Sequence, residues 1–105
     1  TFDAYINVVG GLRLDEPAAD LPLILAVASV YRDKVIPADL AAIGEVGLTG
    51  EIRSVSNMNQ RLGEVARLGF KKCIIPRNGS EKLDIPVGLA IYRVRNIREA
   101  IEVAL

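Results

Sequence analysis

Histidine is absent from the 105 residues, and cysteine occurs once. Without imidazole there is no Ser-His-Asp or Cys-His nucleophilic site and no imidazole-based zinc site. The lone thiol, Cys73, cannot close an internal disulfide. It sits in the apolar strand pattern Lys71-Lys72-Cys73-Ile74-Ile75-Pro76, where a buried, inert thiol is expected rather than a catalytic one. Long apolar runs are missing too: none approaches the roughly 20 residues that cross a bilayer. Thr1-Phe2-Asp3 lacks the basic start and apolar stretch of a signal peptide. A cytoplasmic location with no membrane partner is expected. Asp15, Glu16 and Asp20 are not spaced as a calcium loop, so no metal is expected. Neither a Gly-x-x-x-x-Gly-Lys-Ser/Thr phosphate loop nor a Cys-x-x-Cys pair occurs.

What is present reads as one domain over residues 1–105. A chain of this length buries about two thirds of its unfolded surface. Half the residues are apolar and a quarter charged, the composition of an ordinary soluble globular domain. Starting at Thr1 without a methionine, the sequence reads as a fragment of a longer protein. Its net charge is zero but unevenly spread. Residues 1–52 carry three basic and eight acidic side chains, residues 53–105 ten basic and five acidic. Such asymmetry marks a nucleic-acid face, complementary surfaces between subunits, or two solvated faces without a partner.

Along the chain, Tyr5-Ile6-Asn7-Val8-Val9 predicts a strand, turning at Gly10-Gly11 and resuming through Leu12-Arg13-Leu14. Pro17 suits a helix start. Apolar residues surround most of the circumference over residues 18–31, predicting a central helix buried on nearly all sides, with Pro22 tolerated in its first turns. Residues 43–46 and 50–55 predict a β-hairpin around Gly47-Leu48-Thr49-Gly50, with Glu45 and Glu51 solvent-facing near the turn. Asn57 is the expected N-cap of a helix with Met58, Leu62, Val65, Ala66 and Leu68 at helical spacing, ended by Gly69. Strands are expected at 72–75 and 89–94, turns at Asn78-Gly79-Ser80 and Pro86, and an amphipathic helix over 97–105. Strands separated by helical patterns predict an α/β layer fold with mixed sheets packed on helices.

Two segments carry a resemblance. Asp15-Glu16-Pro17-Ala18-Ala19-Asp20 and Gly44-Glu45-Val46-Gly47-Leu48-Thr49-Gly50-Glu51-Ile52-Arg53 resemble the proteolytic domain of Lon proteases, which implies that fold. In Lon the first segment reads Asp-Gly-Pro-Ser-Ala-Gly and its serine is the nucleophile; the matching position here is Ala18. Lon's base is a lysine after the hairpin, and counting from Gly50 that position falls on Asn59. A methyl group has no proton to give and an amide cannot take one at neutral pH. The resemblance thus implies vestigial dyad positions, Ala18 and Asn59, and no peptidase activity for this chain. Ser29, Ser54, Ser56 and Ser80 have no recognisable base beside them, and Ser29 falls on the helix expected to be buried.

The wording Gly10-Gly11-Leu12-Arg13-Leu14-Asp15-Glu16-Pro17, with Ala28-Ser29-Val30-Tyr31-Arg32-Asp33 and Ala66-Arg67-Leu68-Gly69-Phe70, is similar to the C-terminal domain of the RadA (Sms) family of bacterial DNA repair proteins. That resemblance implies a parent chain with a four-cysteine zinc motif, a RecA-like ATPase core and a hexameric ring acting on single-stranded or branched DNA in recombinational repair. ATP, Mg and zinc would belong to those other parts, leaving no cofactor for these residues. Ser56-Asn57-Met58-Asn59-Gln60-Arg61 replaces the family's more usual Ser-Arg-Ile-Glu-Gln-Arg. Phosphate contacts need Lys and Arg, so Arg53, Arg61, Arg67, Lys71, Lys72, Arg77, Arg93 and Arg95 are the DNA-binding candidates. Lys71 and Lys72 could instead guard a strand edge, and Arg67 could pair with Glu64. The alternatives are an oligomerisation scaffold without DNA contact, or a Lon-like domain of another bacterial ATPase.

Overall fold

A computed structural model describes residues 17–79 and 82–105. The expected strand at 5–9, the turn at Gly10-Gly11 and the stretch 12–14 lie outside the described residues, as does Ser80 of the expected turn. Pro17–Ala19 makes a 3₁₀ turn leading into helix α1, Asp20–Tyr31. Pro22 is accommodated because first-turn N–H groups have no intrahelical acceptor to lose. The helix closes with Asp33 at φ 55°. The Asp33 N–H donates to the Val30 carbonyl at 3.2 Å and that of Lys34 to Ser29 at 2.9 Å, a Schellman arrangement.

The helix is not buried on nearly all sides. Leu21, Pro22, Leu25 and Ala26 are buried, whereas Leu23, Val27, Val30 and Tyr31 are exposed. An all-apolar helix shows no polar stripe to mark its outer face, but here only the i, i+4 rows meet the sheet. Ser29 accordingly lies at an intermediate depth, its hydroxyl donating to the Ala26 carbonyl at 3.1 Å.

Strand β1, Leu40–Ala42, was not expected; a three-residue, alanine-rich stretch carries little strand signal. It is followed by the hairpin, β2 (Glu45–Val46) and β3 (Ile52–Arg53), paired antiparallel. The expected turn lies between them: the Gly47 N–H donates to the Glu51 carbonyl at 2.9 Å and the Gly50 N–H to Gly47 at 3.0 Å. Gly50 takes φ 85° there, which favours glycine. Helix α2, Met58–Arg67, ends at Gly69 with φ 95°, as its sequence signals predict. Asn57 occupies the N-cap position but is left-handed, at φ 59°, and its side chain makes no capping bond. Strands β4 (Lys72–Pro76) and β5 (Ala90–Val94) precede helix α3, Ile97–Ala104. Asn96 caps α3 by accepting from the Glu99 N–H at 2.9 Å, while the Glu99 carboxylate accepts from the Arg95 N–H at 2.6 Å.

β1, β4 and β5 form a parallel sheet in the order β1-β4-β5, with Ala41 opposite Cys73 and Cys73 opposite Ile91. Strand alternation divides the core. Ala41, Ile43, Cys73 and Ile75 pack with Met58, Leu62 and Val65 of α2. Leu40, Ala42, Ile74 and Val94 pack with Leu21 and Leu25 of α1 and Ala100 and Ala104 of α3. A parallel sheet covered on both faces reads as continuous apolar runs, as Cys73-Ile74-Ile75 does. The result is a mixed α/β fold with a parallel sheet between helical layers and an antiparallel ribbon beside it.

Candidate nucleic-acid interface

The 3₁₀ turn places Ala18 in the core, 1% exposed, in the cluster that holds Met58. Its carbonyl accepts from the Gly44 N–H at 3.1 Å. Asn59, next to Met58 on the first turn of α2, ties down a distant loop. Its Nδ2 donates to the Lys82 carbonyl at 2.9 Å, and its Oδ1 accepts from the Asp84 N–H at 2.7 Å. This loop needs a donor and an acceptor from one side chain, which an amide supplies and a lysine does not.

The basic candidates divide by location. Arg53 donates from Nη2 to Glu51 at 2.9 Å and lies 3.6 Å from Glu45, so both acids of the hairpin are engaged. Glu51 also accepts from the Thr49 hydroxyl at 2.5 Å and the Thr49 N–H at 3.2 Å. The Thr49 hydroxyl bond is the largest of the contacts that hold the Glu51 carboxyl down at about 2. Arg61 donates from Nε to the Ser56 carbonyl at 2.8 Å. Arg67 pairs with Glu64. Lys71 and Lys72 stand at the start of β4, their backbone N–H groups both donating to the Asp39 carbonyl. Because β4 is the central strand, they do not guard a sheet edge.

Arg77, Arg93 and Arg95 gather toward the opposite end of the sheet, about 10 Å along the strands from Lys72 for Arg93 and about 16 Å for Arg77. Arg93 stands opposite Ile75. The Arg77 N–H donates to the Val94 carbonyl at 2.8 Å, and the Arg95 carbonyl accepts from the Ile52 N–H at 2.8 Å. These bonds lay the exits of β4 and β5 beside β3. None of the three guanidinium groups has an ion pair among the described residues.

A cleft of about 300 Å³ opens beside them, with Arg77 and Arg93 in its wall together with Ser54, Ser56, Asn78 and Leu83. Residues some 20 positions apart share this wall, and no spacing pattern in the sequence announces that. Arg77 and Arg93 also line a second depression, together with Arg95, Glu99 and Glu102. Cys73 is fully buried, and that burial pushes its thiol up to about 12, the inert state expected for it. Among the described residues no three His, Cys, Asp or Glu side chains cluster as metal ligands. No helix among them is long and apolar enough to cross a membrane.

Comparison with known proteins agrees with this architecture. The sequence matches the Lon protease (S16) C-terminal proteolytic domain across residues 3–105. It is 48% identical over 103 residues to the DNA repair protein RadA of Listeria monocytogenes serovar 1/2a, covering 98% of this chain and 22% of that protein. RadA of Bacillus subtilis strain 168 is 48% identical over 104 residues, with 98% and 22% covered. RadA of Aquifex aeolicus strain VF5 is 48% identical over 101 residues, with 96% and 22% covered. The chain therefore spans about a fifth of the length of these curated relatives. With a family match over nearly every residue and a layered α/β fold beneath it, the chain belongs to the Lon protease C-terminal proteolytic domain family.

Proposed function

We propose that this chain is a non-proteolytic Lon-like domain of a RadA-type DNA repair protein, a cytoplasmic ATPase ring, in which it serves as hexamer scaffold and touches single-stranded or branched DNA. ATP, Mg and zinc belong to other parts of such a parent. The non-proteolytic reading is supported by Ala18, which the resemblance aligns with the nucleophile and which is buried, and by Asn59, whose amide is committed to the loop at Lys82 and Asp84. The observation that carries the DNA reading is the group Arg77, Arg93 and Arg95, three guanidinium ions at one end of the sheet without ion pairs among the described residues. Arginine forks suit phosphate oxygens, and neutralising phosphates releases counterions. Arg53 and Arg67 are already paired, Arg61 is bonded to the Ser56 carbonyl, and Lys71 and Lys72 face another end, so the phosphate path narrows from eight residues to three.

Fluorescence anisotropy of labelled single-stranded and duplex DNA at two salt concentrations tests this. Three phosphate contacts give a log–log salt slope of roughly −2 to −3. The double change Arg77→Glu and Arg93→Glu should abolish binding, while Lys71→Glu and Lys72→Glu should weaken it only slightly. A flat titration, or loss only with the lysine pair, overturns the assignment.

A second reading, a scaffold without DNA contact, is favoured by the outer side of α1. There Val27 and Val30 are 54% and 62% exposed, and Tyr31 lies next to them. Under that reading Val27→Glu breaks self-association and DNA binding is absent from the start.

A further inference from the structure

We infer that the cleft between residues 54–56, residues 76–79 and Arg93 is a phosphate-monoester pocket, accepting the terminal phosphate of a nucleotide or of a DNA strand's 5′ end. The DNA source rests on the function proposed above; the nucleotide source does not.

Four observations carry it. First, Arg77 and Arg93 both stand in the wall, and neither has an ion pair among the described residues. Two guanidinium groups bring two positive charges, and a terminal phosphate carries about −1.5 to −2 at pH 7. An internal phosphodiester carries only one negative charge and leaves two ester oxygens to be led out of the cleft. Second, Ser54, Ser56 and Asn78 place neutral donors in the same wall. No carboxylate lines it among the described residues; Glu99 and Glu102 line a second depression that the two arginines also border. Third, the remaining wall is apolar, with Val55, Met58, Ile75 and Leu83. Such a wall suits a sugar or base attached to the phosphate. Fourth, the volume of about 300 Å³ is at the small end of ligand sites. It admits one phosphate with part of a nucleoside and is far too small for a duplex.

The elements that shape the cleft are anchored. Arg77 is fixed to β5 through its backbone bond to Val94. The segment 54–56 is held between β3 and α2, with the Ser56 carbonyl bonded to Arg61. A Cβ at Gly79 would stand 3.5 Å from that of Ser54, so the two segments approach to ordinary contact at the rim.

The test compares a 5′-phosphorylated single-stranded 12-mer with its 5′-hydroxyl counterpart on the 105-residue chain, with dAMP as competitor. Amide shifts of Ser56, Asn78 and Gly79 are followed in parallel. The phosphorylated strand should bind at least tenfold more tightly, and Arg77→Gln, Arg93→Gln or the cleft-filling Ser54→Leu should erase that difference. Lys34→Gln, which removes the same charge from the exposed end of α1, should preserve it. If dAMP displaces the strand with equal affinity, the source is a free nucleotide; if the phosphorylated strand discriminates and dAMP does not displace it, the source is a strand end. Equal binding of both strands without displacement by dAMP overturns the pocket, as does discrimination that survives both Arg77→Gln and Ser54→Leu. Equal but steeply salt-dependent strand binding leaves the DNA reading standing and removes only the pocket. Binding of dAMP with shifts at Ser56, Asn78 and Gly79 but no strand binding does the reverse.

Discussion

Thr49 reaches across the hairpin turn to a carboxylate that Arg53 clasps from the other side, and Glu51 ionises unusually easily as a result. A carboxyl lowered in the fold contributes stability above its ordinary range near 4.5, and that contribution fades as pH falls towards about 2. Thr49→Val removes the strongest of its hydrogen bonds. The Glu51 carboxyl should then titrate closer to 4.5 in a side-chain NMR pH series; an unmoved midpoint would assign the effect to the backbone N–H bonds and Arg53. The sequence predicted Glu45 and Glu51 to be solvent-facing, and Glu51 keeps a side chain 41% exposed. It did not announce the ion pairs, because they depend on how a four-residue turn folds back. Asn59 teaches the same lesson. The resemblance singles out its position, but its partners Lys82 and Asp84 lie 23 and 25 residues away. Asn59→Lys discards an acceptor that the Asp84 N–H needs and should cost about 1–2 kcal/mol in a urea titration.

Between elements, one tight fit is at Gly44, between β1 and the hairpin. Its N–H donates to Ala18, its carbonyl accepts from the Leu21 N–H, and a Cβ would come within 2.8 Å of Ile52 Cγ2. Gly44→Ala forces that isoleucine aside and should destabilise the fold by about 1–3 kcal/mol. Thermal melts check it, since each kcal/mol lowers Tm by roughly 4–8 °C in a domain of this size. The elements legible in advance were those with a periodic or punctuated signal. Helix α2 has apolar residues at 58, 62 and 65 and a glycine stop; β4 is an apolar run; α3 is amphipathic. β1 escaped because alanines fill its central positions and a parallel partner, not its own sequence, makes it a strand. The exposed side of α1 escaped for the opposite reason, since uniform hydrophobicity hides which rows meet the sheet.

On the scale of the whole molecule, charge separated along the chain is not charge separated in space. β1, from the acidic half, pairs with β4 from the basic half, and Arg53 of the basic half neutralises Glu45 and Glu51 of the acidic half. One basic surface left after this mixing is the small arginine group at one sheet end, which no count by halves could locate. At the sheet's middle lies Cys73, fully buried between flanking strands and kept protonated by its surroundings. A thiol reagent reaches that sulfur only when the sheet comes apart, so the chain carries its own covalent stopwatch for global opening. Native protein at pH 8 should react with a disulfide reagent at least about a thousandfold more slowly than urea-unfolded protein. Any variant that loosens the sheet, Gly44→Ala included, should shorten the interval about tenfold for each ~1.4 kcal/mol of stability it loses, and no label or probe has to be engineered to time it.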